Sequence, residues 1–412
     1  MNERLLSSSL RFTFAMTAAF AAGACGSGDA ADGDVGSTGD EAAGTALGAP
    51  TASFPEDFGA ILAVRELSDG TVLVPDPLGG VLFQVDMDAG TREQIGAEGQ
   101  GPEEYRQPDA VWTLPGDSTL LVDLGNGRMT ALTPDLSFGE TSPMSAGDPR
   151  TGMIIAIPQG VDDEGRVYSR SISMSMGPGN ESPDSGAVLR VTRGSLAVDT
   201  AAMFKLQDRI VETSGGPNNQ NVSVRPVFLS PEDAWGVAPD GAVVMARSSD
   251  YSIEWHAVDG AVTKGQPTPY DVVQLGTDEK LEFLRARSTS GGGIGISVTM
   301  DNNQSMQMSF GRGGAGRTQN EENPDDYTWP EVKPPFYSER IPVDPMSRAW
   351  VRRHVEAGEP STYDLFDRSG DRVATYLLPH GERVIGFGAG TLYVVVADEF
   401  DLNYLRRYTL PS

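Results

Sequence analysis

One cationic cluster stands out in an otherwise acidic chain: "RAWVRRHVEAG", residues 348–358. Side chains alternate across a strand, so Arg348, Trp350 and Arg352 would share a face. A guanidinium beside an aromatic ring can receive a carboxylate or a sugar acid. The same residues can also serve to neutralise local acids and pack. The turn "DLGNGR" supplies a second grouping, Asp123, Asn126 and Arg128. There the Asp can accept backbone N–H bonds and the Arg can clamp the turn, a structural use. The three histidines, His256, His354 and His380, form no HExxH or HxH pair and have no cysteine nearby. They read as strand or loop positions with local hydrogen bonds. Serine catalysis would need a histidine partner and an orienting acid, and no GxSxG elbow is present. Gly99, Gly101 and Pro102 are not followed by Lys-Ser/Thr and a helix, so they make no phosphate cradle. No catalytic residue is assigned.

The elements that must position these groups are strands. The 412 residues include 49 Gly and 28 Pro, which implies many turns rather than long helices. Lys and Arg number 31 against 58 Asp and Glu, a formal net charge of -27. Such a surface repels nucleic acid, where binding depends on neutralising phosphates. It also disfavours docking on anionic lipid by charge alone. The single cysteine, Cys25, excludes an intrachain disulfide and a thiolate zinc site.

Residues 1–24 carry Arg4 and Arg11 at the front and an apolar stretch from Phe12 to Ala22. That stretch is too short to cross a bilayer, which needs about 20 residues, and it fits a secretory signal peptide. It ends in "AGAC", Ala22 to Cys25. This resembles the lipobox of bacterial lipoproteins, whose Cys is diacylated, although Ala22 stands where Leu is usual. Ala22-Gly23-Ala24 also satisfies ordinary signal cleavage. Residues 25–50 then hold Asp29, Asp32, Asp34, Asp40 and Glu41 with no Lys or Arg. The expectation is a flexible acidic tether behind a lipidated Cys25, in the periplasm or at the cell surface.

Beyond residue 50 a turn followed by an apolar strand recurs six times. The copies are "SDGTVLV" (68–74), "GDSTLLV" (116–122), "DEGRVYS" (163–169), "PDGAVVM" (239–245), "DPMSRAWV" (344–351) and "GAGTLYV" (388–394). Asp69 to Gly116 and Gly116 to Asp163 each span 47 residues, and Asp344 to Gly388 spans 44. That is the length of one four-stranded propeller blade. The longer gaps imply insertions, with extra loops expected at 175–187 and 214–226. The segment "TDEKLEFLRAR" (277–287) reads as a helix capped by Thr277. Residues 288–330 read as a long inserted loop in blade 4. The last copy shows three strands, and 51–58 is expected to supply the missing outer one. The fold is therefore an all-β six-bladed propeller of four-stranded antiparallel blades over 51–412.

At this point "GAEGQGPEEYRQPDAV" (96–111) followed by "LLVDLGNGRM" resembles the bacterial six-bladed propellers related to the NHL-repeat group. Gly99, Gly101, Pro102, Glu104, Tyr105 and Pro108 match the first half of their pattern, with Glu103 at a usual Gly position. Asp123, Asn126 and Arg128 match the second half. The resemblance implies an exported, often lipid-anchored propeller, and a propeller hosts binding, scaffold and enzyme functions alike.

Three readings follow. The first is an envelope module that binds a protein, peptide or glycan over one face. The second is a metal-dependent hydrolase or lyase like the gluconolactonases. There Asp and Asn oxygens at the central channel would hold Ca²⁺, although no trio of ligands can be assigned from sequence. The third is a structural envelope protein with no small-molecule site.

Overall fold

The computed structural model describes residues 44–148, 152–171, 183–195, 197–216, 219–289, 294–300, 306–312 and 323–412. Residues 1–43, with the expected signal peptide and Cys25, lie outside the described residues. The chain folds as a six-bladed β-propeller. Blades 1 to 6 occupy 65–94, 108–143, 160–205, 234–264, 343–378 and 383–409. Each recurrent segment of the sequence forms the second strand of a blade. These strands are Val72–Asp76, Ser118–Asp123, Val167–Arg170, Val243–Arg247, Ala349–Arg353 and Thr391–Ala397.

Their composition follows from position. A second strand sits inside a blade that is covered on both faces, so it reads as a continuous apolar run rather than an alternating one. In blade 1, Leu73 points into a cluster with Val111, Leu121 and Leu132 of blade 2. Its neighbours Val72 and Val74 point the other way, against Ile385, Tyr393 and Val395 of blade 6. Among the described residues there are six such clusters, each straddling one pair of adjacent blades. The cluster joining blade 6 to blade 1 closes the ring. No single blade could bury both of its faces alone.

The turn entering each second strand ends in a residue in the left-handed region, Gly70, Asp117, Gly165, Gly241, Ser347 and Gly390, and in blade 2 Gly116 joins it. Four of the six are glycine, which adopts this conformation without steric penalty. In blades 3 and 5 the turn is fastened by the same buried clamp. Asp162 accepts hydrogen bonds from the Glu164 and Arg166 N–H groups, from Arg166 Nε at 2.7 Å and from the Tyr168 hydroxyl at 2.9 Å. Asp344 accepts from the Met346 and Arg348 N–H groups, from Arg348 Nε at 2.8 Å and from Trp350 Nε1 at 3.0 Å.

The ring is closed by the N-terminal segment. Ala52–Ser53 pairs antiparallel with Asn403–Thr409 as the outer strand of blade 6, and Phe58 bridges to Asn403. This is the outer strand expected from 51–58. Upstream, Thr45–Ala46 pairs in parallel with Tyr376 and Leu377 at the edge of blade 5. Residues 44–50, assigned to the tether from their composition, are thus held against the propeller. Backbone pairing is joined by Leu47, which packs against the cluster between blades 5 and 6, a contact that overall composition does not reveal.

One expected loop is corrected, and a second at its end only, since 175–182 lie outside the described residues. Residues 214–226 fall in a hairpin, Arg209–Gly216 with Asn219–Pro226. Of 175–187, residues 183–187 are described, and 185–187 belong to the third strand of blade 3. The segment from 288 is not a plain loop and follows blade 4 rather than interrupting it. After the helix Thr277–Thr289 comes a second hairpin, Ile294–Met300 with Met306–Arg312. The chain then returns along Val273 and Leu275, to which Lys333 and Glu331 are joined by backbone hydrogen bonds.

Candidate functional site

An antiparallel four-stranded blade sends its fourth-to-first link and its second-to-third turn out at one end, here termed upper. The first-to-second and third-to-fourth turns leave at the lower end. Four of the fourth-to-first links carry secondary structure of their own. The elements are the pair Ala97–Glu98 with Glu104–Tyr105, the hairpin Ser145–Asp148 with Gly152–Ile155, the hairpin at 209–226, and the helix with its following hairpin. The upper end is therefore the elaborated one.

Two cavities open there. The first, about 200 Å³, lies at the central mouth, lined by starts of inner strands such as Ala110, Gln159 and Ala234. Arg340 projects into it 5.0 Å from the Trp112 ring centroid. Loss of hydration, then the neighbouring Arg383, pushes Arg340 down to about 10, so it stays cationic at neutral pH. Arg170 pairs with Glu232 at 3.2 Å.

The second cavity, about 600 Å³, lies between the helix and blades 5 and 6. The helix is fixed on two sides. Glu279 and Glu282 accept from the Ala357 and Gly358 N–H groups of the blade 5 turn. Phe283 packs with Phe228 and Trp329 at 5.4 and 5.7 Å, and Arg287 stacks over Phe228. Across the cavity Arg352 lies over Tyr337, 4.2 Å from its centroid, and 3.9 Å from the Glu339 carboxylate. Burial opposes the Arg352 charge, but Tyr337 and Glu339 outweigh it and hold the group cationic. His354 packs on the other partner of this group, its ring centroid 3.9 Å from that of Tyr337. Its Nδ1 donates to the Pro334 carbonyl at 2.9 Å, while Nε2 is buried without a partner. Burial pushes His354 down to about 3.

The residues singled out from sequence separate into two groups. Arg348 and Trp350 are committed to Asp344, with Arg348 also donating to the Pro411 carbonyl and Trp350 fully buried against Tyr376. Only Arg352 reaches a cavity, so the trio does not form one ligand face. Arg348 precedes the strand and folds back onto its own Asp, out of the alternation that strand positions follow. Asp123 accepts from the Arg106 and Gln107 N–H groups, and Asn126 donates to Asp123 and to the Gly99 carbonyl. Arg128 donates to the Gly101 and Glu104 carbonyls at 2.8 and 2.7 Å. The two halves of the Gly-x-Gly-Pro and Asp-x-x-Asn-x-Arg pattern thus clasp one another. His256 meets Glu254 and His380 the Glu359 carbonyl.

Among the described residues no three His, Cys, Asp or Glu side chains come together as a metal site. Sequence reasoning missed Arg340 and Arg383. A register for the inner strands would have found them, because Arg340 precedes Ile341 at the start of blade 5 and Arg383 opens the inner strand of blade 6.

No protein-family model matches the chain, and no curated protein matches it. Similar solved structures include virginiamycin B lyase from Staphylococcus aureus, 11% identical with a TM-score of 0.37, covering 88% of this chain and 99% of that one. Regucalcin, a calcium-binding protein from Agrobacterium tumefaciens, is 10% identical with a TM-score of 0.36, covering 88% and 96%. A gluconolactonase from Xanthomonas campestris is 8% identical with a TM-score of 0.39, covering 90% and 95%. These values are too low to bear on what this chain binds or catalyses.

Proposed function

We propose that the protein is an exported, lipid-anchored propeller of the bacterial envelope that binds a protein, peptide or glycan over its upper end. One observation carries the reading: the inserted hairpins at 145–155, 209–226 and 294–312 and the helix Thr277–Thr289 all emerge at that end, where the two cavities open. In repeat architectures, per-repeat insertions gather on the face that binds. The anchor rests on "AGAC" and the acidic segment behind it.

A photoreactive benzophenone side chain, which inserts into nearby C–H bonds of protein or glycan, tests the surface in whole cells. Placed at Asp278 on the helix it should give adducts, and placed at Asp69 in a lower turn it should not. Adducts from Asp69 alone would overturn the reading. Labelled palmitate should enter the protein and be lost in Cys25→Ala.

A further inference from the structure

We propose that the cleft beneath the helix is a site for a carboxylate-bearing saccharide, with its acid group held by arginines and its hydroxyls by neighbouring carboxylates. The proposal rests on the upper end being the binding surface and gives that surface a ligand class.

Arg285, Arg352, Arg353 and Arg383 converge on this one cavity, with Asp278, Glu282 and Glu359 among them. They do so in a chain of net charge -27, whose average surface would repel an acid. The groups arrive from separate elements: Arg285 and Glu282 from the helix, Arg352 and Arg353 from the second strand of blade 5, and Arg383 from the inner strand of blade 6. A volume of about 600 Å³ suits a small ligand rather than a single ion.

The mixture of signs selects the chemistry. Guanidinium forks match carboxylate oxygens. The interleaved Glu282 and Glu359 would oppose a compact dianion such as phosphate, yet they are acceptors for hydroxyl donors. Arg352 Nε is also buried without an acceptor, so that guanidinium retains an unfilled donor.

Calorimetric titration of the full-length protein in detergent tests this, using trimers of galacturonate, glucuronate and mannuronate, their methyl esters, and inorganic phosphate. At least one trimer should bind. Its ester should bind at least about 10-fold more weakly, as expected for losing charge-assisted bonds. Phosphate should bind more weakly than the trimer. Arg352→Gln and, as an independent variant, Arg383→Gln should each weaken binding by about 10-fold. The proposal falls if no trimer binds, if the ester or phosphate binds as tightly, or if both variants bind like the parent. Persistent adducts from Asp278 in that case would leave the binding surface standing and reject only the ligand class. Adducts moved to Asp69 would reject both.

Discussion

The two ends of the propeller are built on different principles. At the lower end the same hydrogen-bonded turn recurs in blades 1, 3, 4 and 5, and all six turns carry a left-handed residue just before the second strand. In blades 3 and 5 it is closed by a fully satisfied aspartate. At the upper end no two links are alike, and arginines and carboxylates face cavities rather than their own turns. Repetition marks the part that holds the ring together, and variation marks the part free to acquire a ligand. The contrast can be tested by asking which end fails when one residue is changed.

The largest effect should come from the lower end. Asp344→Ala strips the partner from the Arg348 guanidinium, the Trp350 indole and two backbone N–H groups, all at a buried site. Removing one member of a buried ion pair costs about 3–5 kcal/mol. Asp162→Ala should match it if the clamps are equivalent. Denaturant titration of both variants checks this, and a neutral result for either would dissolve the comparison. Next, truncation to start at Phe54 removes the pairing of Thr45–Ala46 and Ala52–Ser53, including backbone bonds from Leu47 to Leu377 and Thr51 to Arg407. A loss of about 2–3 kcal/mol is expected. The bared edges of blades 5 and 6 should also promote aggregation, visible by light scattering.

The upper end should respond to pH instead. The folded protein holds His354 neutral, with its pKa near 3, while the unfolded chain protonates it near 6.5. Protons therefore favour the unfolded chain as pH falls below 6.5. The stability is fully present above that value and declines by about 1.4 kcal/mol per pH unit below it. Between pH 7 and pH 5, His354 should account for about 2 kcal/mol of lost stability. In His354→Gln the difference between denaturation free energies at those two pH values should shrink by that amount. An unchanged difference would mean that the imidazole is hydrated in solution.

These differences also explain what could be read from the sequence. The ring count was legible because each second strand is buried on both faces, and that requirement writes "TVLV", "TLLV", "AVVM" and "LYVVV" into the chain. The outer strand at Ala52–Ser53 was legible from the shortage of strands in blade 6. Thr45–Ala46 was not, because an edge strand held by backbone bonds leaves no side-chain signature. The hairpins at 209–226 and 294–312 were read as loops because glycine, asparagine and glutamine dilute their alternation. The cleft was visible through Arg352 and its neighbour Arg353 and, less directly, His380. Arg285 and Arg383 lie on elements far apart in sequence, and only the fold brings blades 5 and 6 beneath the helix.

The smallest predicted effect concerns the turn itself. Ser347 occupies, at φ 62°, the position that four blades fill with glycine. An L-residue there holds its Cβ against the following carbonyl, at about 1–2 kcal/mol. Glycine relieves that strain but loses more chain entropy on folding, which offsets up to about 1 kcal/mol of the gain. Ser347→Gly should therefore stabilise the protein by about 0.5–1 kcal/mol. Gly241→Ala, at φ 84° and with Tyr168 Oη 2.8 Å from an added Cβ, should destabilise it. Opposite signs at equivalent positions would show that the turn conformation is imposed by the blade. If Ser347→Gly instead weakened the protein, the Asp344 clamp would depend on the serine as well as on the backbone it shapes.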